Sequence, residues 1–446
     1  MKKALAVLMV SAMTCSVLGG CGSAKPAAGT GETKNTTAAG ESTAAEGENV
    51  TLRFAWWGGD ERNAATQEVI RQFMEAHPGV TIEGEPGSSD GYHDKLATQL
   101  ASGTAPDIVQ IDPEKMPTFV ASGDYFYDVK ELGVDTSLFD ANYIGLQING
   151  NYDGKQLGLP TGIAGQAVLV NKKAADKFGV DLEKADLSWG DWIEYGKAIH
   201  EKDPESYLFC VNKEYITNIF VLTQCKQING PLFDANGKLT LTEENLARVF
   251  SYVKELYDNN VVPPASYQAS YIEDDIQSDA NWIAGKYVAA PCYISTIDVM
   301  AAGYPDGEYV PGRLPVLEGA KDGGFASNTP QLLSITRSCQ HPELAAEFLS
   351  YFFNDKKAEE TLGATRSVPP TEQARKICTE KGSLTKLVSD AADIAIKVGG
   401  TPNDAISSSP EAKTILFDAV EAIGYGEKKP EDAAKEVIAE FSELQK

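Results

Sequence analysis

The sequence is poor in the residues and motifs from which catalytic and metal centres are commonly built. It has four histidines among 446 residues, and none lies at the spacing of a zinc site or an HExxH motif. P-loop, GxGxxG and GxSxG motifs are also missing. We therefore expect a protein that is not an enzyme and that uses no cofactor, and the sequence offers no candidate metal ligands.

Positive charge is scarce as well. Lysine and arginine number 39 against 64 aspartates and glutamates, which gives a formal net charge of -25. Such a surface repels nucleic acid and anionic lipid. We expect no nucleic-acid partner, and the charge is typical of a highly soluble secreted protein.

The only long apolar run lies at the N-terminus, in residues 4–18, directly after Lys2 and Lys3. It is too short for a stable transmembrane helix and predicts a secretory signal peptide over residues 1–20. The run ends in Leu-Gly-Gly-Cys, a pattern similar to the bacterial lipobox, in which the cysteine receives lipid. Lipidation of Cys21 is predicted. The alternative is a plain signal peptide that is cut near Cys21 without lipidation.

Large apolar side chains are almost absent between residue 22 and about residue 49, where glycine, serine, threonine, alanine and glutamate dominate. Such a segment cannot bury a core, so residues 21–49 are predicted to form a flexible tether. A lipid on Cys21 would then hold the protein outside the cytoplasm, at the outer face of the cell membrane. The length of the remaining chain suggests two domains.

Cysteine is infrequent in that remainder. It occurs at Cys210, Cys225, Cys292, Cys339 and Cys378. Because five is an odd number, at least one cysteine has no partner within the chain. Most are expected to be small buried apolar residues, and the existence of one disulfide stays open.

Strand and helix patterns alternate along the rest of the sequence. An apolar strand at Val50–Trp57 precedes a helix that ends at the His-Pro-Gly turn of residues 77–79. A strand at 80–83, a helix around Leu96 and a strand at 107–112 follow. This β-α-β-α-β order predicts a mostly parallel sheet covered by helices.

The second half of the chain continues the alternation. Ser188 and Thr242 have the pattern of helix N-caps, and apolar residues around Phe348 and Val437 recur at helical spacing. A strand is predicted at 287–292.

Nine short stretches are characteristic through their order and spacing rather than one by one. They are Phe-Ala-Trp-Trp-Gly at 54–58, His-Pro-Gly-Val at 77–80, the segment 94–108, Gly-Lys-Gln-Leu-Gly-Leu-Pro at 154–160, Val-Asn-Lys at 170–172, Ser-Trp at 188–189, Gly-Lys at 285–286, Leu-Pro at 314–315 and His-Pro-Glu-Leu-Ala at 341–345. Together they resemble the extracellular solute-binding proteins of family 1, a group related to maltose-binding protein. The resemblance covers nearly everything from residue 50 to the end.

The resemblance implies an α/β fold of the periplasmic-binding-protein type II, with two α/β lobes, a hinge and a ligand cleft between the lobes. Lobe 1 would comprise residues 50–158 and 312–366, and lobe 2 residues 159–311 and 367–446. The implied function is that of the solute-binding lipoprotein of an ABC importer. It would be a monomer that captures a sugar or oligosaccharide and delivers it to the membrane permease.

Two alternatives stay open at this point. Pairs of acidic residues are abundant, so a secreted glycosidase is one of them. The other is a binding protein for a non-sugar solute, such as a phosphorylated or peptide ligand, although the chain lacks a basic, glycine-rich anion cradle.

Sugar sites combine aromatic rings, which cover the apolar faces of a pyranose, with planar polar groups that bind its hydroxyls. In open α/β sheets such ligands gather at the carboxyl ends of strands. The candidates of these types in lobe 1 are Trp56, Trp57, Asp60, Arg62, Tyr92, Gln110, Asp112 and Arg366. Strand alternation places Trp56 and Trp57 on opposite faces, so one is expected in the core and the other in the cleft. The sequence does not show which of the two faces the cleft.

The remaining candidates lie in lobe 2 or in the loop that returns from it to lobe 1. They are Asn212, Tyr215, Trp282, Tyr293, Ser327 and Asn328. A structural role competes with binding for several candidates in both lobes. Tyr92 also fits the core face of its own helix, and Trp282 is expected in the core rather than in the cleft.

Overall fold

The computed structural model describes residues 49–234, 236–271, 273–324 and 327–445, and for residues 273–275 it describes only the backbone. The predicted signal peptide, Cys21 and the predicted tether up to residue 48 lie outside the described residues. Among the described residues, no helix has the length and apolar character needed to cross a bilayer.

The described chain alternates strands and helices. The strands are β1 Val50–Trp57, β2 Val80–Gly87, β3 Ile108–Ile111, β4 Asn151–Tyr152, β5 Lys155–Gln156, β6 Leu159–Pro160, β7 Ala164–Asn171, β8 Tyr207–Phe209, β9 Tyr287–Tyr293, β10 Tyr309–Gly312, β11 Ser327–Asn328 and β12 Leu332–Ile335. The α-helices are α1 Asp60–Ala76, α2 Tyr92–Ser102, α3 Met116–Ser122, α4 Ala141–Ile144, α5 Lys172–Phe178, α6 Trp189–Lys202, α7 Lys213–Tyr215, α8 Leu222–Asn229, α9 Glu243–Asp258, α10 Ala265–Gln268, α11 Ala280–Ile283, α12 Ile297–Gly303, α13 Pro342–Asn354, α14 Lys356–Leu362, α15 Glu372–Lys381, α16 Lys386–Val398, α17 Pro410–Gly424 and α18 Pro430–Glu443.

The predicted helix N-termini are confirmed. The Ser188 hydroxyl accepts the N–H of Asp191, whose side chain accepts the N–H of Ser188, so the start of α6 carries a complete capping box. The Thr242 hydroxyl caps α9 by accepting the N–H of Asn245, without a reciprocal bond. Local sequence chemistry therefore sets where these helices begin.

The first sheet has the strand order β2-β1-β3-β12-β6. β1 runs parallel to both β2 and β3, as predicted. β12, however, is antiparallel to both of its neighbours. The prediction of a mostly parallel sheet thus holds for the first three strands only, because the last two strands come from distant parts of the chain and do not follow a β-α-β crossover.

Both faces of this sheet are covered. One face buries Phe54 of β1 and Ile108 of β3 under α1 and α13. The other face buries Val109 and Ile111 of β3 together with Leu96 of α2. A sheet buried on both faces exposes its polar atoms at the strand ends, which is where ligands of such sheets collect.

The second sheet has the order β10-β7-β9-β8, and β11 pairs with β7 outside that path. β7 is antiparallel to β10, β9 and β11, and β8 is parallel to β9. Its core continues into the helices of the C-terminal part of the chain, where Leu416, Val437 and Phe441 are buried. Each of these five cysteines is buried and free. The disulfide that the sequence left open is therefore not formed between any two of them.

The chain passes three times between the first sheet and the core around the second sheet, near residues 161–163, 328–331 and 366–368, and the three crossing segments lie side by side. The Thr161 N–H donates to the Gln331 carbonyl over 3.0 Å, and the Ile163 N–H donates to the Val368 carbonyl over 2.7 Å. Between them Gly162 packs so closely that a Cβ at this position would lie 2.9 Å from the carbonyl oxygen of Arg366. The crossings therefore form one hydrogen-bonded bundle of backbone segments.

The second crossing lies later than the lobe boundary expected at residue 312. Gly312 still pairs with Val168 of β7, and Ser327 and Asn328 pair with Gly165 and Ala164. The return to the first sheet therefore occurs between β11 and β12. The division of the chain into two lobes stays a proposal, and the pairing of β6, β10 and β11 places the first two crossings later than the expected limits.

Candidate functional site

The carboxyl ends of β1 and β3 bring Trp57 and Asp112 together. The two strands are parallel neighbours, so residues at their ends meet at one edge of the sheet. The half-buried Trp57 indole N–H donates to Oδ1 of Asp112 over 3.1 Å. Gln110, fully buried below them, donates through Nε2 to the Trp57 carbonyl over 3.2 Å. The ring and the carboxylate are thus fixed relative to each other.

Arg62 covers part of the Trp57 ring. Its guanidinium carbon lies 5.1 Å from the ring centroid, which is the geometry of a cation–π contact. Nη1 donates to the Trp57 carbonyl over 3.2 Å, and Nε donates to the Thr365 carbonyl at the third crossing over 3.3 Å. Partial burial lowers the pKa of Arg62, and the negative charge of Asp112 opposes that shift. Arg62 therefore links the end of β1 to a crossing segment.

Arg366 lies below this group, with 4% of its surface exposed. Nη1 donates to Oε1 of Gln110 over 2.6 Å, and Nη2 donates to the Thr66 hydroxyl over 2.8 Å. Burial and the nearby charge of Arg62 lower the pKa of the Arg366 guanidinium. Both Gln110 and Arg366 are enclosed, so they support the site from beneath, and their burial contradicts the expectation that they contact a ligand.

Asp112 has a second neighbour that the sequence did not reveal. Nδ1 of His93 lies 3.7 Å from Oδ2 of Asp112, and the backbone N–H of Asp112 donates to Nε2 of His93 over 3.1 Å. Burial raises the pKa of the Asp112 carboxyl and lowers the pKa of the His93 imidazole. A lone histidine on a helix carries no sequence signal for this role, because its partner is 19 residues away on another element.

Tyr92 begins α2 beside the same edge. Its hydroxyl donates to the Ala55 carbonyl over 3.1 Å, and its ring meets the His93 ring edge-on at 5.1 Å. A cavity of about 230 Å³ adjoins it, lined by Ala55, Gly87, Tyr92, Lys95 and Gln99 among others. Burial raises the pKa of the Tyr92 phenol, which therefore stays a neutral hydrogen-bond donor.

Two other candidates of the first lobe do not join this group. Trp56 has no exposed surface, lies in the core with Phe54, and donates its indole N–H to Asn63 over 2.9 Å. Its burial contradicts a direct ligand contact. Asp60 is exposed in the first turn of α1, where a carboxylate interacts favourably with the helix dipole.

The second lobe presents a smaller group where β7 begins and β9 ends. Gln166 of β7 pairs with Tyr293 of β9, and the half-buried Tyr293 ring lies 5.7 Å from the buried ring of Tyr215. Gln166 donates through Nε2 to the Asn218 carbonyl over 2.8 Å, within the π-helical segment Ile216–Val221. π-Helical turns are frequent at functional sites. Gln166 is a further residue that the sequence did not indicate.

Asn212 and Trp282 are structural. The Asn212 side chain is buried and accepts the N–H of Tyr215 over 2.9 Å as the N-cap of α7. Trp282 is buried and donates its indole N–H to the Met300 carbonyl over 2.8 Å, which agrees with the preference for a core position. Both placements contradict a role in direct ligand binding, because neither side chain reaches the surface.

Ser327 and Asn328 lie in β11, next to the start of β7. The Ser327 hydroxyl is buried and has no hydrogen-bond partner within the described parts of the chain. Asn328 is half-buried.

Taken together, the accessible residues offer aromatic surface and hydrogen-bonding groups. Trp57 and Tyr293 supply rings, Asp112 supplies acceptor oxygens, and Arg62 supplies donors. Within the described ranges, no group of three or more histidine, cysteine, aspartate or glutamate side chains could hold a metal ion. This arrangement suits the recognition of a polar ligand with apolar faces.

Comparison with known proteins gives a family and a fold. Residues 57–359 match the family described as bacterial extracellular solute-binding protein. The arabinooligosaccharide-binding protein of Halalkalibacterium halodurans is 26% identical over 338 residues, which cover 71% of this chain and 70% of that protein.

Two solved structures extend the comparison to nearly the whole chain. An extracellular solute-binding protein of family 1 from Alicyclobacillus acidocaldarius is 24% identical, with a TM-score of 0.78 over 90% of this chain and 99% of the other. A periplasmic oligogalacturonide-binding protein from Yersinia enterocolitica is 27% identical, with a TM-score of 0.71 over 87% of this chain and 96% of the other. These structures have the predicted type II periplasmic-binding fold, and the chain belongs to the bacterial extracellular solute-binding protein family.

Proposed function

We propose that this protein is the carbohydrate-binding subunit of an ABC importer. It captures a sugar or short oligosaccharide outside the cytoplasm and delivers it to the permease subunits in the membrane. Family membership supports solute binding rather than catalysis. The named relatives that bind arabinooligosaccharide and oligogalacturonide support a carbohydrate as the solute.

The observation that carries this proposal is the Trp57 ring, held at the strand ends between Asp112 and Arg62. A flat ring covers the apolar C–H face of a pyranose. The fixed carboxylate beside it accepts hydroxyl hydrogen bonds in the plane of the sugar, and charged partners make these bonds stronger than neutral ones. The second lobe offers Tyr293 for the opposite side of the ligand.

A thermal-shift screen tests the proposal directly. The panel contains neutral arabino-, xylo-, galacto- and malto-oligosaccharides, acidic oligogalacturonides, and amino acids and peptides as the comparison class. A carbohydrate at 100 times its Kd is expected to stabilise the folded protein by about 2.7 kcal/mol. Stabilisation by peptides or amino acids alone would contradict the proposal. Mass spectrometry of the recovered ligand is expected to show it uncleaved.

The anchor proposed for this function is a lipid on Cys21, and it gives a separate prediction. Cells fed a labelled lipid precursor are expected to label the wild-type protein and not the Cys21→Ser variant, because the thiol is the acceptor. Cys378→Ser is the matched control and is expected to keep the label, since Cys378 is buried in the fold. Equal labelling of the wild type and Cys21→Ser would contradict lipidation.

Closure of the two lobes on the ligand is the next prediction. The three adjacent crossings provide a compact hinge, and Ser367 within it has a φ of 100°, a conformation that non-glycine residues rarely adopt. Small-angle scattering is expected to give a smaller radius of gyration with saturating carbohydrate than without it. An unchanged radius, together with unchanged distances between spin labels on the two lobes, would contradict hinge closure.

A further inference from the structure

One imidazole touches Asp112 at two points. The backbone N–H of Asp112 donates to Nε2 of His93, and Nδ1 of the same ring faces Oδ2 of the carboxylate. A backbone N–H can only donate, so Nε2 must be the acceptor and the ring proton lies on Nδ1. This geometry requires a neutral imidazole in the Nδ1–H form.

The position of Asp112 makes this contact important. β3 ends at Ile111, so the Asp112 amide lies beyond the strand ladder and donates to His93 instead. The carboxylate then accepts the Trp57 indole N–H through its other oxygen. A continuous set of contacts runs from His93 through Asp112 to the Trp57 ring.

We propose that His93 is a positioning residue of the ligand site. As a neutral acceptor it fixes Asp112 and, through Asp112, Trp57. Protonation of Nε2 in a mildly acidic medium removes this acceptor and weakens ligand binding. The proposal rests on the proposed function, because it assumes that Asp112 and Trp57 contact the ligand.

Burial and the charges around the ring together set the pKa of His93, and burial has the larger effect. Asp112, Glu114 and Lys115 face it from the segment after β3, and Asp94 faces it from its own helix. Burial, with 13% of the side chain exposed, lowers the pKa of His93 and outweighs the attraction of Asp112 for the charged form. The ring is therefore neutral at neutral pH and gains its proton below the ordinary pKa of about 6.5.

Burial raises the pKa of the Asp112 carboxyl, so protonation of Asp112 in acid would also weaken ligand binding. Two substitutions separate its contribution from that of His93. His93→Gln places an amide oxygen where Nε2 accepts, and this oxygen does not titrate. His93→Ala removes the acceptor at every pH. His77→Gln is the matched control, since His77 is a partly exposed histidine that contacts Phe73 and Glu347 at the end of α1.

The first experiment needs no ligand. Full-length protein labelled with ¹⁵N-histidine has four imidazole rings, each with two ring-nitrogen signals, and loss of one pair of signals in His93→Gln identifies His93. We expect the Nδ1–H tautomer at about pH 7.5 and titration below about 6.5. An Nε2–H tautomer, or a ring that is already protonated at about pH 7.5, would overturn the proposal.

The second experiment measures affinity for a carbohydrate found in the screen. Between about pH 7.5 and about pH 5.5 the wild type and His77→Gln are expected to lose affinity, by up to about tenfold for an imidazole whose pKa lies below about 6.5. His93→Gln is expected to stay within about threefold of the wild-type value at the higher pH and to keep that affinity at the lower one. His93→Ala is expected to bind about tenfold more weakly at both. Melting temperatures at both pH values check that each variant is folded.

The outcomes separate the two proposals. The role of His93 is overturned if His93→Gln loses as much carbohydrate affinity at the lower pH as the wild type does. It is also overturned if His93→Ala binds the carbohydrate with wild-type affinity. If the wild type binds no carbohydrate at about pH 7.5, the proposed function fails, and the labelled-histidine spectrum still decides whether His93 holds Asp112.

Discussion

Trp57→Ala is expected to lower carbohydrate affinity by at least about a hundredfold, equivalent to roughly 2.8 kcal/mol. The indole is half-buried, its N–H is committed to Asp112, and Arg62 lies over its ring. The ring is thus held in place before the ligand arrives, so binding does not pay to immobilise it. Removing it takes away the apolar surface against which a sugar ring would stack and leaves Asp112 without its donor.

Isothermal titration with the carbohydrate from the screen measures the effect. Trp57→Phe keeps a flat ring but loses the N–H, so an intermediate loss of about tenfold is expected. The melting temperature of Trp57→Ala is expected to stay near that of the wild type, because a half-buried side chain at a strand end contributes little to the core. Wild-type affinity in Trp57→Ala would show that another residue anchors the ligand.

The sequence contained enough information to predict the first sheet as far as β3. The strand Val50–Trp57, the helix ending before the turn at 77–79 and the strand at 107–112 agree with β1, α1 and β3 within a few residues. Period and turn chemistry are local signals, and they suffice for elements that follow one another in a β-α-β series. The direction of β12 and β6 was not predicted, because their pairing depends on contacts across more than a hundred residues.

The contacts that build the site also divide into those that the sequence could predict and those that it could not. The end of β1 and the end of β3 are neighbours in any parallel sheet of this order, so Trp57 and Asp112 could be placed together from the sequence. The link from Arg62 to the Thr365 carbonyl spans 303 residues, and the link from Arg366 to Gln110 spans 256. Only the return of the chain through the third crossing brings these partners together.

Alternation within β1 could have decided between the two tryptophans. Leu52, Phe54 and Trp56 share one face and have no exposed surface, whereas Arg53 on the other face is partly exposed. The choice stayed open because a central strand of a covered sheet can bury residues on both faces. Ala55, which is buried on the face of Arg53, shows that this occurs here.

Trp56→Ala is the counterpart of Trp57→Ala, and it is expected to cost roughly 3–5 kcal/mol of folding free energy. The indole is fully buried, its ring lies 4.9 Å from that of Phe54, and its N–H donates to Asn63 of α1. Alanine would leave a cavity between β1 and α1 and an unpaired amide oxygen on Asn63. Gly84 of β2 lies so close that a Cβ there would approach the Trp56 ring to 2.8 Å.

Chemical denaturation, monitored by circular dichroism, measures the loss of folding free energy. Trp56→Phe is the control: it keeps most of the buried volume and is expected to lose less folding free energy than Trp56→Ala. Any Trp56→Ala protein that remains folded should bind the carbohydrate within about threefold of the wild type, because the side chain does not reach the surface. This pattern is the reverse of that for Trp57→Ala. If Trp56→Ala kept full stability and lost the ligand, the roles of the two tryptophans would have to be exchanged.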